Sequence, residues 1–455
     1  MSKKKKILLL SDDLRMHSGI ATVSKDIVME TLNEYDWVQI AGAIKHPDKG
    51  KVLDMSQGLD EYGIKNGYLK IYPTDGYGDG PLLREVMAIE KPDAILHYTD
   101  PRFWIWLYKM EAEIRRDIPI FYYNIWDDLP DPMYNELYYR SSDLLMSISK
   151  QTYGINNRIL PDYEDWQTTY VPHGISQRRF YKLEDNDTDM LSFNDKFGLD
   201  DKKFRVLYSN RNIRRKMPGD VALAFKYFVD GLPEEERDDC VLIFHCQPSD
   251  PNGTDLPRVC RHLMPDYNVA FTYTINDNKP FDDNLMNLLF NSADVYVNMA
   301  SNEGFGLGSA EALTVGTPII VNMTGGLQDQ CGIRDDEGNL LTAEDYIELG
   351  SNHRGKYKAH GEWVKPVYPA SISLQGSPPT PYIWDDRCNP EDVAVNLREF
   401  YDMGREERKR LGALGIKFCR ENQLTATAMG ENFIKSMNGA FENWKPRIRY
   451  TMEKV

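Results

Sequence analysis

Short apolar runs alternate with amphipathic segments through the first 180 residues of the chain. Residues 7–11 form the first predicted strand, and the apolar side chains that follow recur at the three- and four-residue spacing of a helix. The same alternation predicts strands at 37–43, 92–100, 118–128, 143–149 and 168–174, and helices at 81–91 and 103–116. Alternating units of this length predict a parallel sheet with helices on both faces.

An acidic, apolar-poor stretch at 182–203 interrupts this alternation, and we interpret it as a linker. The alternation then restarts, with predicted strands at 204–210, 240–246, 268–275 and 293–300 and helices around 222–228 and 285–290. The predicted fold class is therefore α/β, with two Rossmann-like parallel-sheet domains that face each other across a cleft. Ligands of such sheets bind outside the carboxyl ends of the strands.

The alternation stops again between about 328 and 381, where Gly, Pro, Ser and aromatic residues are frequent. A long irregular insertion in a compact domain is usually functional or mobile. Helical patterns return at 390–403 and from about 405 to 444. The predicted organisation is an N-terminal domain at 1–181, the linker at 182–203, a C-terminal domain at 204–425 with the insertion, and a helical segment at 426–455 that packs back on the N-terminal domain.

Composition and charge narrow the class of protein. The chain has 455 residues, of which 41% are hydrophobic, so it has enough apolar surface for sizeable cores. No apolar run approaches the ~20 residues of a membrane-spanning helix, so no membrane span is predicted. Six cysteines without regular spacing indicate a reducing compartment, which favours a cytoplasmic location. The net charge of −16 argues against tightly bound nucleic acid but does not exclude a local basic groove.

The stretch SNEGFGLGSAEALTVGTPIIV, residues 301–321, combines a glycine-rich turn with a short predicted helix and a buried strand. Gly304, Gly306 and Gly308 allow the backbone to approach a ligand closely. The helix that follows would end at Gly316, before Pro318. Its exposed amides and positive dipole end would face the crevice, where they form an anion site.

Two carboxylates flank this anion site, with Glu303 before the predicted helix and Glu311 about one turn inside it. Carboxylates repel phosphate, but an ionised carboxylate accepts hydrogen bonds from hydroxyl groups. A ligand with phosphates in the middle and polyhydroxylated sugars at both ends fits this arrangement. The stretch therefore predicts a nucleotide-sugar site.

The same residues carry a resemblance to a known family. EGFGLGSAE, followed by ALTVGTPIIVNMTGGL, resembles the E-x7-E signature of retaining glycosyltransferases with the GT-B fold, family 4 type. The segment YSNRNIRRKMPGD at 208–220 resembles the strand and Arg-x4-Lys segment of that family. YVPHGISQRRF at 170–180 is similar to the strand end that leads out of its N-terminal domain. Residues 11–28 resemble its first glycine turn, with one glycine where many members have two.

The resemblance implies roles for individual residues. Glu303 would hold hydroxyls of the transferred sugar, and Glu311 would hold the ribose of the nucleotide. Arg211 and Lys216 would neutralise the departing diphosphate, so Arg211, Lys216 and Glu303 are the expected catalytic residues. The expected donor-binding residues are Gly19, Gly304, Phe305, Gly306, Leu307 and Glu311. The arrangement requires no metal and no cofactor, and the nucleotide-diphosphate sugar is a substrate.

The sequence departs from the family pattern after the strand predicted at 118–128. Many relatives carry a histidine there, and by register Asp127 takes its place. An aspartate accepts a proton or a hydroxyl hydrogen bond but does not donate as a neutral imidazole does. Asp127 is therefore a candidate catalytic residue. His173 is interpreted as the cap of a strand end with a possible cleft contact, and Arg214 and Arg215 as solvated neighbours.

The leading hypothesis is an enzyme, a hexosyl- or pentosyltransferase that moves a sugar from a nucleotide donor to an acceptor hydroxyl. The alternatives are a nucleotide-sugar epimerase and a non-catalytic nucleotide-sugar-binding subunit. Residues 11–28 and 37–51 most resemble bacteriophage-encoded members of the family, which implies a host cytoplasm and makes a hydroxymethylated pyrimidine in DNA one candidate acceptor. Glycan, lipid and small-molecule acceptors stay open.

Overall fold

The computed structural model describes residues 4–43, 45–349 and 355–447. Within these residues the chain forms two sheets, each covered by helices. Residues 350–354 of the predicted insertion and 448–455 of the predicted terminal segment lie outside the described residues.

The first sheet contains eight strands within the described ranges, in the order β3-β4-β2-β1-β5-β6-β7-β8. They are β1 (Lys5–Asp12), β2 (Tyr35–Gly42), β3 (Leu53–Asp54), β4 (Leu69–Pro73), β5 (Ala94–His97), β6 (Ile120–Asn124), β7 (Leu144–Ser147) and β8 (Thr168–Tyr170). The short edge strand β3 is antiparallel to β4, and the other neighbours are parallel. Parallel strands are covered on both faces, which explains why β1 is a continuous apolar run from Ile7 to Leu10.

The second sheet contains six parallel strands in the described residues, in the order β11-β10-β9-β12-β13-β14. They are β9 (Phe204–Ser209), β10 (Cys240–His245), β11 (Val269–Phe271), β12 (Val295–Asn298), β13 (Ile319–Asn322) and β14 (Val364–Val367). A separate antiparallel hairpin consists of β15 (Ser371–Ser377) and β16 (Thr380–Arg387).

Helices connect the strands on both faces of each sheet. They are α1 (Gly19–Thr31), α2 (Gly80–Glu90), α3 (Ile105–Lys109), α4 (Glu111–Ile114), α5 (Glu136–Arg140), α6 (Lys150–Ile159), α7 (Thr188–Phe197), α8 (Pro218–Asp230), α9 (Glu234–Arg237), α10 (Leu256–Leu263), α11 (Thr272–Ile275), α12 (Asp283–Ser292), α13 (Leu307–Val315), α14 (Asp345–Glu348), α15 (Pro390–Asp402), α16 (Gly404–Glu421) and α17 (Ala426–Asn443). Short 3-10 turns lie at Ser56–Tyr62, Pro101–Trp104, Met133–Asn135, Arg214–Lys216 and Gly325–Gln330.

The last described helix, α17, lies against the first sheet. The Tyr35 hydroxyl donates to Asn438 Oδ1 at 2.8 Å. The ring of Phe433 packs edge-on against Tyr123, with centroids 4.8 Å apart. The chain thus returns from the second sheet to the core of the first.

Four predicted segments differ from the structure. The stretch 182–203, which was interpreted as a linker, contains the helix α7. Asp187 caps this helix, and Phe197 buries its ring 5.6 Å from that of Phe281. Because acidic residues lie on the exposed face of α7, its buried apolar positions were not recognised from the sequence. The strand predicted at 268–275 ends at Phe271, and the helix predicted at 103–116 is broken into a 3-10 turn and the short α3 and α4.

The insertion predicted at 328–381 is also more regular than its composition indicates. β14 lies inside it and pairs in parallel with β13 as the edge of the second sheet. Pro366 in the middle of this strand is tolerated because an edge strand has one unpaired side. The first strand of the hairpin also falls within the insertion, and the second continues beyond it.

None of the described helices is both long enough and apolar enough to cross a membrane. All six cysteines are buried and unbridged.

Candidate functional site

The candidate site is a cleft where the loops at the carboxyl ends of the two sheets meet. Gly19, at the start of α1, faces Leu307, at the start of α13, so closely that a Cβ on Gly19 would lie 3.3 Å from Leu307 Cδ1. Farther along, a Cβ on Gly304 would lie 3.1 Å from the carbonyl oxygen of Ile125, in the loop after β6. The glycines of both domains therefore permit close contact across the cleft.

The start of α13 needs glycine for a conformational and a steric reason. Gly306 has a φ of 88°, in the left-handed region, and a Cβ there would lie 2.4 Å from Leu327 Cδ2. A Cβ on Gly308 would lie 2.3 Å from the hydroxyl oxygen of Tyr296 and 3.0 Å from the carbonyl oxygen of Ser209. The helix thereby brings its partly positive amino end directly onto the carboxyl ends of β9 and β12.

Lys216 and Glu303 form a buried ion pair beside this helix end. The 3-10 turn Arg214–Lys216 positions the lysine, and its carbonyl oxygen accepts a hydrogen bond from the Tyr208 hydroxyl at 3.3 Å. Burial lowers the pKa of Lys216, and the adjacent carboxylate of Glu303 opposes this shift. The pair therefore places a cation and a hydrogen-bond acceptor next to the backbone amide groups at the amino end of α13.

Arg215 is the second cation of this region. Its Nη1 donates to the carbonyl oxygen of Asn302 at 2.8 Å and lies 3.5 Å from Asp127 Oδ2. Burial works against its charge, but the carboxylates of Asp127 and Glu303 raise the pKa of the Arg215 guanidinium above its ordinary value. Sequence reasoning interpreted Arg215 as a solvated neighbour; its side chain is 41% exposed, and it also contacts Asp127 of the N-terminal domain.

Arg211 lies apart from this group. Its side chain is 64% exposed, and its Nε lies 3.2 Å from Asp250 Oδ2, in the loop after β10. The structure thus brings together Lys216, Glu303 and, through Arg215, Asp127, but it does not bring Arg211 to them.

The loop after β6 presents two adjacent carboxyl groups to the cleft. Asp128 is buried, and its pKa is raised well above the ordinary value by burial and by the charge of Asp127. The Trp126 indole donates to the Asp128 carbonyl oxygen at 2.7 Å, and Gln151 Nε2 donates to the Asp127 carbonyl oxygen at 3.0 Å. Sequence reasoning identified Asp127 in this loop but missed its buried neighbour Asp128.

The hairpin β15–β16 lies across the mouth of the cleft and contacts both domains. On the N-terminal side, the Trp384 amide donates to the Leu129 carbonyl oxygen at 2.7 Å, and the Tyr134 hydroxyl donates to the Tyr382 carbonyl oxygen at 2.8 Å. On the C-terminal side, Asn302 Nδ2 donates to Asp385 Oδ1 at 3.1 Å.

This arrangement leaves a small cavity of about 10 Å³ beside the paired carboxyl groups. Asp127, Asp128, Gln151, Trp384 and Asp386 are among its lining residues. The volume is that of a single water site. The cleft is therefore closed at this point, and the hairpin forms one of its walls.

Glu311 lies one turn inside α13 and belongs to a separate group of charges. Burial raises its pKa to about 7, Arg179 opposes the shift, and Asp26 and Asp283 add to it. Arg179 in turn forms an ion pair with Asp26, on α1 of the other domain, and the pKa of Asp26 is itself raised to about 6 by burial. Glu311 therefore shares one cation with a carboxylate from across the cleft.

His173 is a buried support beneath the site. Its Nδ1 lies 2.8 Å from the Tyr123 hydroxyl oxygen and its Nε2 lies 3.2 Å from that of Tyr98. Burial lowers its pKa to about 3, so the imidazole is neutral. Its ring packs against Phe305, with centroids 5.2 Å apart, and so supports the glycine-rich turn.

Comparisons with known proteins agree with this architecture. The family described as "Glycosyl transferases group 1" matches residues 190–349. Alpha-monoglucosyldiacylglycerol synthase from Acholeplasma laidlawii is 26% identical over 187 residues, which are 41% of this chain and 43% of that relative. The match thus spans less than half of the relative's length.

Solved structures resemble the chain over nearly its whole length. HepE from Anabaena, solved with UDP and glucose, has a TM-score of 0.63 at 13% identity and covers 95% of this chain and 99% of its own. Sucrose-phosphate synthase from Thermosynechococcus elongatus has a TM-score of 0.62 at 14% identity, with 96% and 100% covered. The OtsA apo structure has a TM-score of 0.62 at 12% identity, with 96% and 99% covered. The chain therefore has the GT-B fold, as the sequence predicted.

Proposed function

We propose that the protein is a retaining glycosyltransferase that moves a sugar from a nucleotide-diphosphate sugar to an acceptor hydroxyl. The observation that carries this proposal is the buried Lys216–Glu303 pair at the amino end of α13, in the cleft between the two sheets. A cation, a set of free backbone amides and a hydroxyl acceptor at one place match the diphosphate and sugar of such a donor.

The diphosphate is the group whose charge grows as the reaction proceeds. The bond between the anomeric carbon and the phosphate oxygen breaks, and the acceptor oxygen bonds to the same face of that carbon. The acceptor proton passes to the departing phosphate oxygen. Lys216 and the amides of Gly306 and Leu307 stabilise the developing negative charge, which is the largest contribution that fixed groups make.

Glu303 and Asp127 orient the two reacting sugars or hydroxyls. Glu303 accepts hydrogen bonds from hydroxyls of the transferred sugar, as the family resemblance implies. Asp127 faces it from the N-terminal domain, with Arg215 between them. Asp127 therefore accepts the hydrogen bond of the incoming hydroxyl, at the position where many relatives carry a histidine.

UDP-glucose is the first donor to test, because one solved structure of HepE contains it. The acceptor side is open to screening. Three classes have a reason to be included: hydroxymethylated DNA, which the resemblance to phage-encoded proteins implies; diacylglycerol, which the name of the Acholeplasma relative indicates; and simple glycosides.

The test is donor turnover by matched variants. We expect Lys216→Ala to lower donor hydrolysis and transfer by about 10²–10³-fold, because it removes the cation beside the leaving group. The control is Lys226→Ala, an exposed lysine of α8 that pairs with Asp230 and lies outside the cleft.

Equal turnover by Lys216→Ala and the unmodified protein would overturn the proposal. Release of an isomerised donor without any acceptor product would identify an epimerase instead. Donor binding without turnover over the whole acceptor panel would identify a non-catalytic binding subunit.

A further inference from the structure

A second cavity lies at the opposite end of the second sheet from the cleft. Its volume is about 640 Å³, which is within the range of pockets that bind small organic molecules. Lys203 and Asp294, which precede β9 and β12, line it, so it opens at the amino ends of the strands. Nothing in the proposed transfer reaction uses this cavity.

The lining of the cavity is basic, although the whole chain carries a net charge of −16. Eight lysine and arginine residues line it, against five aspartate and glutamate residues. The amino end of α16, an 18-residue helix, also opens into it at Gly404. Its dipole adds a partial positive charge in the same place.

Some of these cations are neutralised and have structural roles. Arg408 donates to Asp294 Oδ1 at 2.9 Å and to the carbonyl oxygens of Phe400 and Lys203. Arg398 pairs with Asp402 at 2.8 Å. These contacts hold α15 and α16 against the start of β9 and leave little capacity for a ligand.

Four other cations share too few carboxylates. Asp185 pairs with both Arg405 and Lys409, and Lys409 also pairs with Glu406 at 3.3 Å, whereas Lys182 has no ion pair with any part of the chain that the structure describes. The Nε of Arg205 is buried and has no hydrogen-bond partner among the described residues. Burial lowers the pKa of Lys182 and the nearby charges of Lys409 and Arg405 add to this shift, whereas the carboxylate of Asp185 opposes it. This clustering of like charges costs stability that a bound polyanion would recover.

We propose that this cavity binds a small molecule with at least two phosphate groups, held by Lys182, Arg205, Arg405 and Lys409 at the amino end of α16. These cations outnumber the carboxylates that pair with them, so the ligand must supply several negative charges, which at least two phosphate groups provide. The cavity volume admits a phosphorylated sugar or nucleotide. Because Lys182 follows directly on the last segment of the N-terminal domain, the ligand also connects that segment to α16.

The test is calorimetric titration of the full chain with inorganic pyrophosphate and, separately, with glucose 1,6-bisphosphate. Lys216→Ala serves as the background, because it removes one of the cations that would bind either probe in the cleft and so weakens binding there. We expect both probes to bind this background. Adding Lys182→Ala and Arg405→Ala weakens binding at least about tenfold, since each removes a charge-assisted contact.

The matched control is Arg410→Ala in the same background. Arg410 lies on α16 but pairs with Glu407 and Glu362 and does not line the cavity. We expect it to change binding less than about twofold. Thermal unfolding of each variant checks that the fold is intact, as the truncated side chains of Arg405 and Arg410 are about half exposed.

Two results would overturn the proposal: no binding of either probe to the Lys216→Ala chain, or equal binding with and without Lys182→Ala and Arg405→Ala. Neither result affects the proposed transferase activity, which depends on the other end of the sheet.

Discussion

The two sides of the cleft are built in different ways. The proposed donor side consists of two loops of one domain, at 210–217 and 301–308, where Lys216 forms an ion pair with Glu303. The proposed acceptor side consists of the loop after β6 and the hairpin β15–β16, which are joined by hydrogen bonds between domains. There, two adjacent carboxyl groups share one guanidinium, that of Arg215.

This difference indicates separate tasks. A diphosphate has one charge pattern, so a fixed cation and a helix end suit every donor of this type. An acceptor hydroxyl carries no charge, so its recognition depends on the walls of the cleft and on hydrogen-bond acceptors. The following predictions test this separation, from the largest expected effect to the smallest.

Arg215→Ala and Arg211→Ala test which of the two arginines contributes to sugar transfer from the donor. We expect Arg215→Ala to lower kcat by about 10²-fold, because it removes the cation between Asp127 and the Glu303 loop. Arg211→Ala should cost less than about tenfold, since its side chain pairs with Asp250 at the surface. Steady-state transfer kinetics compare the two. A larger loss for Arg211→Ala would show that Arg211 leaves Asp250 when the donor binds.

Asp127→Asn tests the acceptor side directly. We expect it to lower kcat for transfer by about 10–10²-fold, because an amide is a poorer acceptor for the hydroxyl proton. Donor affinity, measured by calorimetry, should change less than about threefold. A matched control is Asp162→Asn, an exposed aspartate that pairs with Arg140 outside the cleft. A loss of donor affinity equal to the loss of kcat would place Asp127 on the donor side instead.

Trp384→Ala tests the hairpin wall. We expect the KM for the acceptor to rise about tenfold and the KM for the donor to stay within about twofold, because Trp384 lines the cavity beside Asp127. Leu374→Ala on the neighbouring strand is the control, since that side chain is 65% exposed. Equal effects on both KM values would mean that the hairpin closes over the whole cleft rather than over the acceptor.

The pH dependence of donor binding tests Glu311. Its pKa of about 7 predicts that binding strengthens severalfold between pH 6 and pH 8, because only the ionised carboxylate accepts two hydroxyl hydrogen bonds. Glu311→Gln should bind the donor with no such dependence. Calorimetry at the two pH values measures both. A wild-type profile that is equally flat would exclude Glu311 as the ribose acceptor.

The same group has a predicted effect on stability. The folded-state pKa is raised from 4.5, so the folded chain binds this proton more tightly than the unfolded chain. Its stabilising contribution is therefore present at low pH and is lost as the pH rises toward about 7. Relative to the unmodified protein, Glu311→Gln should gain stability between pH 5 and pH 8 in denaturant unfolding.

The fold was largely predictable because buried parallel strands have continuous apolar sequences. β9, β10 and β12 lie within predicted strands, and β1 contains the whole of the strand predicted at 7–11. The α13 turn was predictable for a related reason, as Gly306 has both a positive φ and no room for a Cβ. Local sequence therefore carries enough information wherever a constraint acts within one segment.

The predictions failed where the constraint comes from elsewhere in the chain. Three basic residues lie in a row at 214–216, and their composition does not reveal which ones face the cleft; the 3-10 turn directs Lys216 toward Glu303 and Arg215 toward Asp127. α7 was missed because its acidic surface obscures its buried side chains.

By itself the sequence determined the two α/β sheets, the glycine-rich turn at the start of α13 and the carboxylates beside it, because each depends on residues that are neighbours along the chain. Only the tertiary structure decided that Asp127, Arg215 and the hairpin meet at one wall, and that Lys182 and α16 enclose a basic cavity. Those groups come from segments up to about 250 positions apart, and their charges interact only after packing has brought them within a few ångströms.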